Sequence, residues 1–504
     1  MNRNFFTTIR AGTADPRRPL LSTRDGRTYS YADAFDAAGR FAAFFAELGM
    51  SKGDRLVAQV DKSPEALFLY LACLRAGVVF VPLNTGYTLG EVEYFLTDAQ
   101  PSLVVCRPAS AAAITELATR LGISAVETLG AARDGSLIER SDVKPVLSGD
   151  AWIDDADLAA LLYTSGTTGR SKGAMLTHEN LRSNALALCG AWHFEPSDVL
   201  VHALPIFHTH GLFVACNVTM LAGSRMIFLP KFNAEEILEL LPISTVMMGV
   251  PTLYTRLLQE PGLTRDACAQ MRLFVSGSAP LLAETHREWR ARTGHAILER
   301  YGMTETNMNA SNPYRGDRVP GSVGPAIEGV EIRIVDEHTA VPVAEGDIGM
   351  IEIRGPNVFK GYWRMPEKTA SEFRPDGFFI TGDLGRIDQQ GYLTIVGRSK
   401  DLIITGGYNV NPKEVEIEID ALESVLESAV VGIPDADFGE AVTAFVVLKP
   451  EKSLTQQEVL LSLRARLASY KLPKSIVFVE QLPRNAMGKV QKNLLRDMAV
   501  GQHE

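Results

Sequence analysis

Apolar positions in the first half of the chain fall into two alternating patterns. Segments such as 31–48 and 64–75 carry theirs at helical spacing, while 57–60, 78–82 and 103–106 are unbroken apolar runs of strand length. Sustained from about residue 29 to 250, that alternation predicts α/β layering with largely parallel sheets. Residues 134–157 are polar, with scattered Gly and Pro, and read as a connection. From 330 to 359 and from 378 to 396 the pattern shifts to short strands with Gly and Asp turns, a smaller β region. Past residue 400 it shifts again. A helix opens at Asn411-Pro412, strands follow at 427–432 and 442–448, then a helix at 455–468 and a strand at 476–478, giving an α+β tail. The expected class is α/β, with a large N-terminal domain of layered sheets and helices that includes a β subdomain, and a small C-terminal α+β domain.

At 504 residues the chain is too long for one ordinary core, which agrees with that division. Its 46% hydrophobic and 22% charged residues describe a folded protein throughout. A formal charge of −10 with no stripe of Lys and Arg argues against nucleic-acid binding. Anionic ligands must then be captured by local sites. The five cysteines sit in mostly apolar company at no metal-like spacing and read as reduced core residues of a cytoplasmic protein. Nowhere do eighteen apolar residues run together, so no membrane span is expected, and the N-terminal residues do not read as a signal peptide.

The strongest chemical signal is Thr164-Ser165-Gly166-Thr167-Thr168-Gly169-Arg170-Ser171-Lys172-Gly173, which follows an apparent buried strand at 158–163. Three glycines let backbone N–H groups approach phosphate oxygens, and five hydroxyls and Lys172 add donors and charge. A Walker loop has Gly before its lysine and Ser or Thr after; here Ser171 precedes Lys172 and Gly173 follows. The loop therefore reads as a triphosphate cradle of a different kind.

Four further clusters carry candidate chemistry. In Glu299-Arg300-Tyr301-Gly302-Met303-Thr304-Glu305 a ring suited to stacking on a base lies close to a carboxylate suited to Mg²⁺, the alternative being a strand end with a buried Tyr and a solvated Glu. Thr381-Gly382-Asp383-Leu384-Gly385 is either a turn or, paired with Arg398, a ribose clamp. Gly397-Arg398-Ser399-Lys400-Asp401 falls where composition changes and reads as a hinge as well as a site. Pro483-Arg484-Asn485-Ala486-Met487-Gly488-Lys489 ends on a lysine that a preceding glycine lets reach into a cleft.

These five motifs, in this order and spacing, resemble the adenylate-forming superfamily of acyl-CoA synthetases, adenylation domains and luciferases. The resemblance covers essentially the whole chain. It implies an N-terminal domain 1–397, a hinge 398–400 centred on Lys400, and a mobile C-terminal lid 401–504. It also implies ATP and CoA as co-substrates with Mg²⁺. Residues 164–173 would hold the β- and γ-phosphates, Glu305 Mg²⁺, Gly277, Ser278, Ala279 and Tyr301 the adenine, Thr304 the α-phosphate, and Asp383 with Arg398 the ribose. Lys489 would bridge the α-phosphate and the attacking carboxylate. For the thioester step, Gly406, Gly407 and Tyr408 would wall a pantetheine tunnel and His208 would gate it.

Two features bear on the acid. Relatives place a small or uncharged residue before the motif tyrosine, whereas this chain has Arg300. Either the guanidinium meets a second carboxylate on the substrate, or it turns away and pairs with Glu299 or Glu305. His210 and Thr209 would add polar contacts to a short pocket, and Met308 would close its far wall. His286 and Arg287 are further candidates, but the polar helix that carries them favours exposure. The combined motifs look closest to malonyl-CoA synthetases, implying malonate and, secondarily, methylmalonate. A short- or medium-chain or aryl acyl-CoA ligase, an enzyme that loads a carrier protein, and a non-catalytic nucleotide-binding regulator are the alternatives. An exposed, essential Lys489 would also suit control by a lysine acetyltransferase and deacetylase.

Overall fold

The computed structural model describes residues 2–164, 171–405, 408–435, 438–464, 466–485 and 488–500. The chain divides into two compact units, one of residues 1–331 with 353–379, the other of 332–352 with 380–504. The second unit thus takes in part of the β region ahead of residue 397.

The first unit holds two sheets. One runs in the order Val126–Thr128, Leu103–Cys106, Arg55–Gln59, Val79–Pro82, Leu158–Thr164, Lys172–Thr177. Its strands are parallel except the last pair, an antiparallel hairpin. The other runs Asn307–Ser311, Leu298–Met303, Leu273–Ser276, Val246–Gly249, Val199–His202, Arg225–Phe228, Pro19–Ser22, Thr28–Ser30, parallel at its centre and antiparallel at both edges. Continuous apolar strands of this kind are buried on both faces, which is why the short unbroken runs were readable. Helix Pro64–Ala76 is apolar between Glu65 and Arg75 and buried on all sides, packed on Tyr31–Glu47. Ser63 caps its start by accepting from Ala66 N, and Gly77 ends it at φ 72°. Helix Phe5–Gly12 is fixed at its start by Phe5 N donating to Nδ1 of buried His178, 3.2 Å away. The expected connection 134–157 contains a short helix, Ser136–Asp142, whose seven residues are too few to show periodicity.

In the second unit a four-stranded sheet takes the order Glu331–Val335, Gly349–Arg354, Phe379–Ile387, Leu393–Arg398. A five-stranded sheet is built around the long hairpin Val425–Asp435 with Gly439–Leu448. Alternate residues serve opposite faces: Val430, Val442 and Ala444 pack with helices Pro412–Asp420 and Gln456–Arg464, and Val431 and Phe445 with Leu495 and Ala499 of helix Lys492–Val500. The helix expected at 455–468 stops at Arg464.

All five cysteines are free thiols. Burial pushes Cys106 and Cys268 up to about 11, Cys189 and Cys216 to about 12, and Cys73 well above its usual value. Among the described residues no helix is long and apolar enough to cross a membrane.

Candidate active site

The eight-stranded sheet gathers most of the expected acid and nucleotide residues at one place. Ser276 and Glu299 are paired in register on neighbouring parallel strands. Strand Leu298–Met303 then folds back on Asn307–Ser311, which sets Arg300 opposite Ser311, Tyr301 opposite Ala310 and Gly302 opposite Met308. Asn307 sits at φ 50°, and a Cβ on Gly302 would collide with the Asn307 carbonyl, so the return is as tight as the chain permits. Tyr301, Glu305 and Met308 are buried, while Thr304 lies half-buried between them in sequence. Glu305 is thus not the solvated carboxylate of the bland reading.

Arg300 is 4% exposed. Its guanidinium lies against the backbone of Gly277, where a Cβ would be 2.5 Å from Nε and 2.6 Å from Nη1. Among the described residues no protein group hydrogen-bonds Nε or Nη2. Neither flanking carboxylate serves it: Glu299 accepts from Gly321 N and faces Nδ1 of His286, both at 3.1 Å, and Glu305 accepts from the Tyr362 hydroxyl at 3.0 Å. Burial of this uncompensated cation lowers it to about 9. His286, expected on the surface, is instead buried behind Glu299, and only Arg287 of the two is exposed. His286 lies one turn before buried Trp289 on helix Ala283–Thr293, on the inward side of a helix too polar to advertise that face.

Other unpaired polar atoms cluster with Arg300. Thr209 Oγ1, His210 Nε2 and Ser276 Oγ are buried with no hydrogen-bond partner. His210 Nδ1 lies 3.4 Å from Ser278 Oγ, and burial, with the nearby Arg300 charge, keeps the ring well below the usual histidine range. The loop Gly277-Ser278-Ala279 is strained where it leaves its strand, with Ser278 at φ 72°. Half-buried His208 accepts from His210 N at 3.3 Å through Nδ1. His210 begins a π-helical turn, His210–Cys216, the kind of local irregularity that marks functional sites.

Thr164 and Lys172 are directly paired across the hairpin, so the glycine-rich loop joins two antiparallel strands rather than a strand and a helix. Ser165, Gly166, Thr167, Thr168, Gly169 and Arg170 lie outside the described residues. Sequence reasoning missed the residue that ties this loop to Glu305. Ala174 bridges to Tyr362, whose ring lies 4.2 Å from the Lys172 ammonium and whose hydroxyl donates to Glu305. Nothing in the one-dimensional pattern joins positions 172, 305 and 362; only the sheet edge does.

In the second unit, Asp383 and Arg398 face each other in register and form an ion pair at 3.0 Å, Asp383 buried and Arg398 exposed. Asp383 is therefore a strand residue rather than a simple turn former. Lys400 lies in a single 3₁₀ turn, Ser399–Asp401. Lys489 is exposed at the end of a small hairpin: Arg484 bridges to Val490, Asn485 Oδ1 accepts from Lys489 N at 3.0 Å, and Gly488 takes φ 74°. Gly406 and Gly407 lie outside the described residues, and Tyr408 beside them is 59% exposed and stacked on Tyr470, centroids 4.7 Å apart. Sequence reasoning overlooked Tyr470, which stacks on Tyr408, and Lys474, whose ammonium lies over the Phe438 ring.

The family model described as AMP-binding enzyme matches residues 9–363, and that described as AMP-binding enzyme C-terminal domain matches 414–489. The chain belongs to the AMP-binding enzymes. This AMP-binding enzyme is 38% identical to the mitochondrial malonate–CoA ligase of Mus musculus over 83% of its own length and 77% of the relative's. It is 34% identical to the malonate–CoA ligase of Arabidopsis thaliana, over 95% and 86%. Among solved structures it resembles the ATP-bound MatB of Rhodopseudomonas palustris, with TM-score 0.98, 57% identity and full coverage of both chains.

Proposed function

We propose that this AMP-binding enzyme is an AMP-forming acid–thiol ligase that joins malonate to CoA. The observation that carries the acid is Arg300, a buried guanidinium with two unpaired nitrogens, Nε and Nη2, on one edge and no carboxylate partner among the described residues. An isolated buried cation costs several kcal/mol unless an anion meets it. A dicarboxylate supplies that anion with one end while presenting the other for activation. His210, held neutral, with Thr209 and Ser276 offers further hydrogen bonds of a kind a long alkyl chain could not satisfy. Met308, whose Cε reaches over Gly302, would close a short pocket, and methylmalonate is the second acid in this proposal.

In the first half-reaction a malonate oxygen attacks the α-phosphorus of ATP; the new O–P bond forms as the bond to pyrophosphate breaks. Residues 164–173 with Lys172 hold the leaving pyrophosphate, and Thr304 contacts the α-phosphate. Gly277, Ser278, Ala279 and Tyr301 line the adenine, and the Asp383–Arg398 pair holds the ribose hydroxyls. Lys489 meets the charge that grows on the bridging oxygens. Glu305, buried and braced by Tyr362, fits one-carboxylate binding of Mg²⁺, which would neutralise phosphate charge. In the second half-reaction the CoA sulfur attacks the acyl carbon and AMP leaves. We assign residues 1–397 to the catalytic body, 398–400 to a hinge at Lys400 and 401–504 to a lid; the gap between the matched models, 364–413, contains that hinge. Gly406, Gly407 and Tyr408 then line the pantetheine path, with His208 at its mouth.

The same proposal places the enzyme in a cytoplasmic setting, in keeping with five free thiols. It also makes exposed Lys489 a target for a lysine acetyltransferase and deacetylase, checked by acetylating the pure enzyme and assaying adenylation. The deciding experiment offers malonate, methylmalonate, octanoate and coumarate with ATP and CoA to wild type and Arg300→Gln. Malonate should lead in wild type and drop selectively in the variant. Preference for octanoate or coumarate would overturn the assignment.

A further inference from the structure

Behind the proposed acid pocket lies a polar chain, half-buried at Lys62 and buried at His202, that the proposed chemistry does not use. Lys62 stands between strand Arg55–Gln59 and helix Pro64–Ala76. Its Nζ is 2.8 Å from Nδ1 and 2.8 Å from the carbonyl oxygen of His202, and 4.3 Å from the Phe228 ring centroid. His202, 1% exposed, ends strand Val199–His202. Its other ring nitrogen, Nε2, is 2.8 Å from the carbonyl oxygen of Gly211, in the first turn of the π-helix. The Cys216 sulfur lies 3.3 Å from the same nitrogen.

The partners dictate where the ring proton sits. A carbonyl oxygen can only accept, so Nε2 carries the hydrogen and donates to Gly211. An ammonium can only donate, so Nδ1 presents its lone pair to Lys62. Both ends therefore demand one neutral tautomer. Burial and the adjacent Lys62 charge hold His202 well below the usual range, in agreement with that state. Lys62 has no acidic partner among the described residues; neighbouring Asp61 faces Arg107 at 3.9 Å. Burial lowers Lys62 to about 7, and either protonation state keeps an N–H for Nδ1.

Gly211 is confined from the opposite side as well. A Cβ at this position would collide with the Pro205 carbonyl and lie 3.2 Å from Leu204 Cβ. The turn is thus clamped between that carbonyl and His202, and the residues immediately before Gly211 are Thr209 and His210, with their unpaired Oγ1 and Nε2.

We propose that Lys62 and His202 are positioning residues for acid recognition: Lys62 selects the tautomer of His202, His202 holds the Gly211 carbonyl, and the clamped turn aims Thr209 and His210 at the acid bound by Arg300. This rests on the acid-pocket reading given above, and the two fail separately. If wild type ignores malonate, the substrate assignment falls, and the variants below are read on the acid it does activate.

The test compares Lys62→Met, which removes the donor at similar length, with Lys62→Arg, which restores it. Lys62→Met should raise the KM for the acid about tenfold, the scale of one lost hydrogen bond near a substrate, with the ATP KM essentially unchanged. Lys62→Arg should recover most of that loss. Long-range ¹H–¹⁵N correlation spectra should show His202 as the Nε2–H tautomer in wild type and a changed tautomer balance in Lys62→Met. Equal rises in both KM values, an unchanged acid KM, or failure of Lys62→Arg to rescue overturns the proposal. So does a wild-type His202 found as the Nδ1–H form or as imidazolium, a measurement that stands even if a variant does not fold.

Discussion

Arg300 fills the space that any side chain on residue 277 would need: a Cβ there would lie 2.5 Å from Nε and 2.6 Å from Nη1 of the guanidinium. In the proposed assignment Gly277 lines the adenine and Arg300 meets the acid, so the two sites would share a wall, and changes to the acid pocket should be read with ATP kinetics measured beside them.

Replacing Arg300 by Gln removes the charge while keeping a polar side chain. Malonate KM should rise at least about thirtyfold, the lower end of the 2–5 kcal/mol expected for truncating one partner of a buried charged pair. ATP KM should stay within a factor of about two. Arg300→Lys should recover only part of the loss, since an ammonium lacks the planar fork. A malonate KM that does not move in Arg300→Gln defeats the assignment.

Arg300 also sets a pH dependence. In the free enzyme burial brings it from its ordinary value down to about 9. A bound carboxylate favours the charged form, so malonate KM should be flat below about 9 and climb up to tenfold per pH unit above it. The sign for stability is opposite. Between the folded and unfolded values the unfolded chain holds more protons, so this group's contribution to stability improves as pH rises through that window. Alkaline loss of malonate affinity without a fall in melting temperature distinguishes Arg300 titration from unfolding.

Tyr362 links Lys172 and Glu305, the residues proposed for the phosphate site, through different parts of its side chain. Tyr362→Phe keeps the ring beneath Lys172 and deletes only the hydroxyl that donates to Glu305. The Mg²⁺ concentration for half-maximal adenylation should increase a few-fold, consistent with about 1 kcal/mol for one hydrogen bond, while malonate KM holds. Calorimetric titration with MgATP provides a readout independent of turnover.

Lys489→Ala should abolish adenylate formation and largely spare thioester formation from supplied malonyl-adenylate. Pyrophosphate release and CoA consumption measured separately check this. Equal losses in the two half-reactions would falsify its assignment to the first.

His178 governs part of the acid stability. Burial lowers it to about 3, and its Nδ1 accepts from Phe5 N, which a protonated ring could not do. Between its ordinary 6.5 and about 3 the unfolded chain binds the extra proton, so stability falls as pH drops, on the order of 1 kcal/mol per unit. Asp420, raised to about 7 by burial, acts with the opposite sign across part of this window. The comparison that isolates His178 is therefore His178→Gln against wild type, in urea melts from pH 7 to 4.5. The difference between them should change steadily with pH.

Much of the architecture was readable because buried parallel strands are written as unbroken apolar runs and helix Tyr31–Glu47 carries a clear apolar stripe. What escaped was decided by tertiary context. Arg300 stood out as a lone cation in a nucleotide motif, but Glu299 beside it in sequence looked like a partner. Successive residues of a strand face opposite sides, so Glu299 turns to His286 and Arg300 to Gly277. Tyr362, Tyr470 and the Lys62–His202 chain left no local signal, since each depends on segments dozens of residues apart meeting in space.

Coenzyme A is itself a thiol, and its disulfide form exchanges with any protein thiolate it can reach. Burial raises all five cysteine thiols of this chain, four of them to about 11 or 12, and only Cys189 is not fully buried. Essentially no thiolate is presented at neutral pH. The protein is thereby chemically inert toward its own co-substrate, and its activity should survive the oxidation of CoA that halts turnover, returning in full once the free thiol is restored.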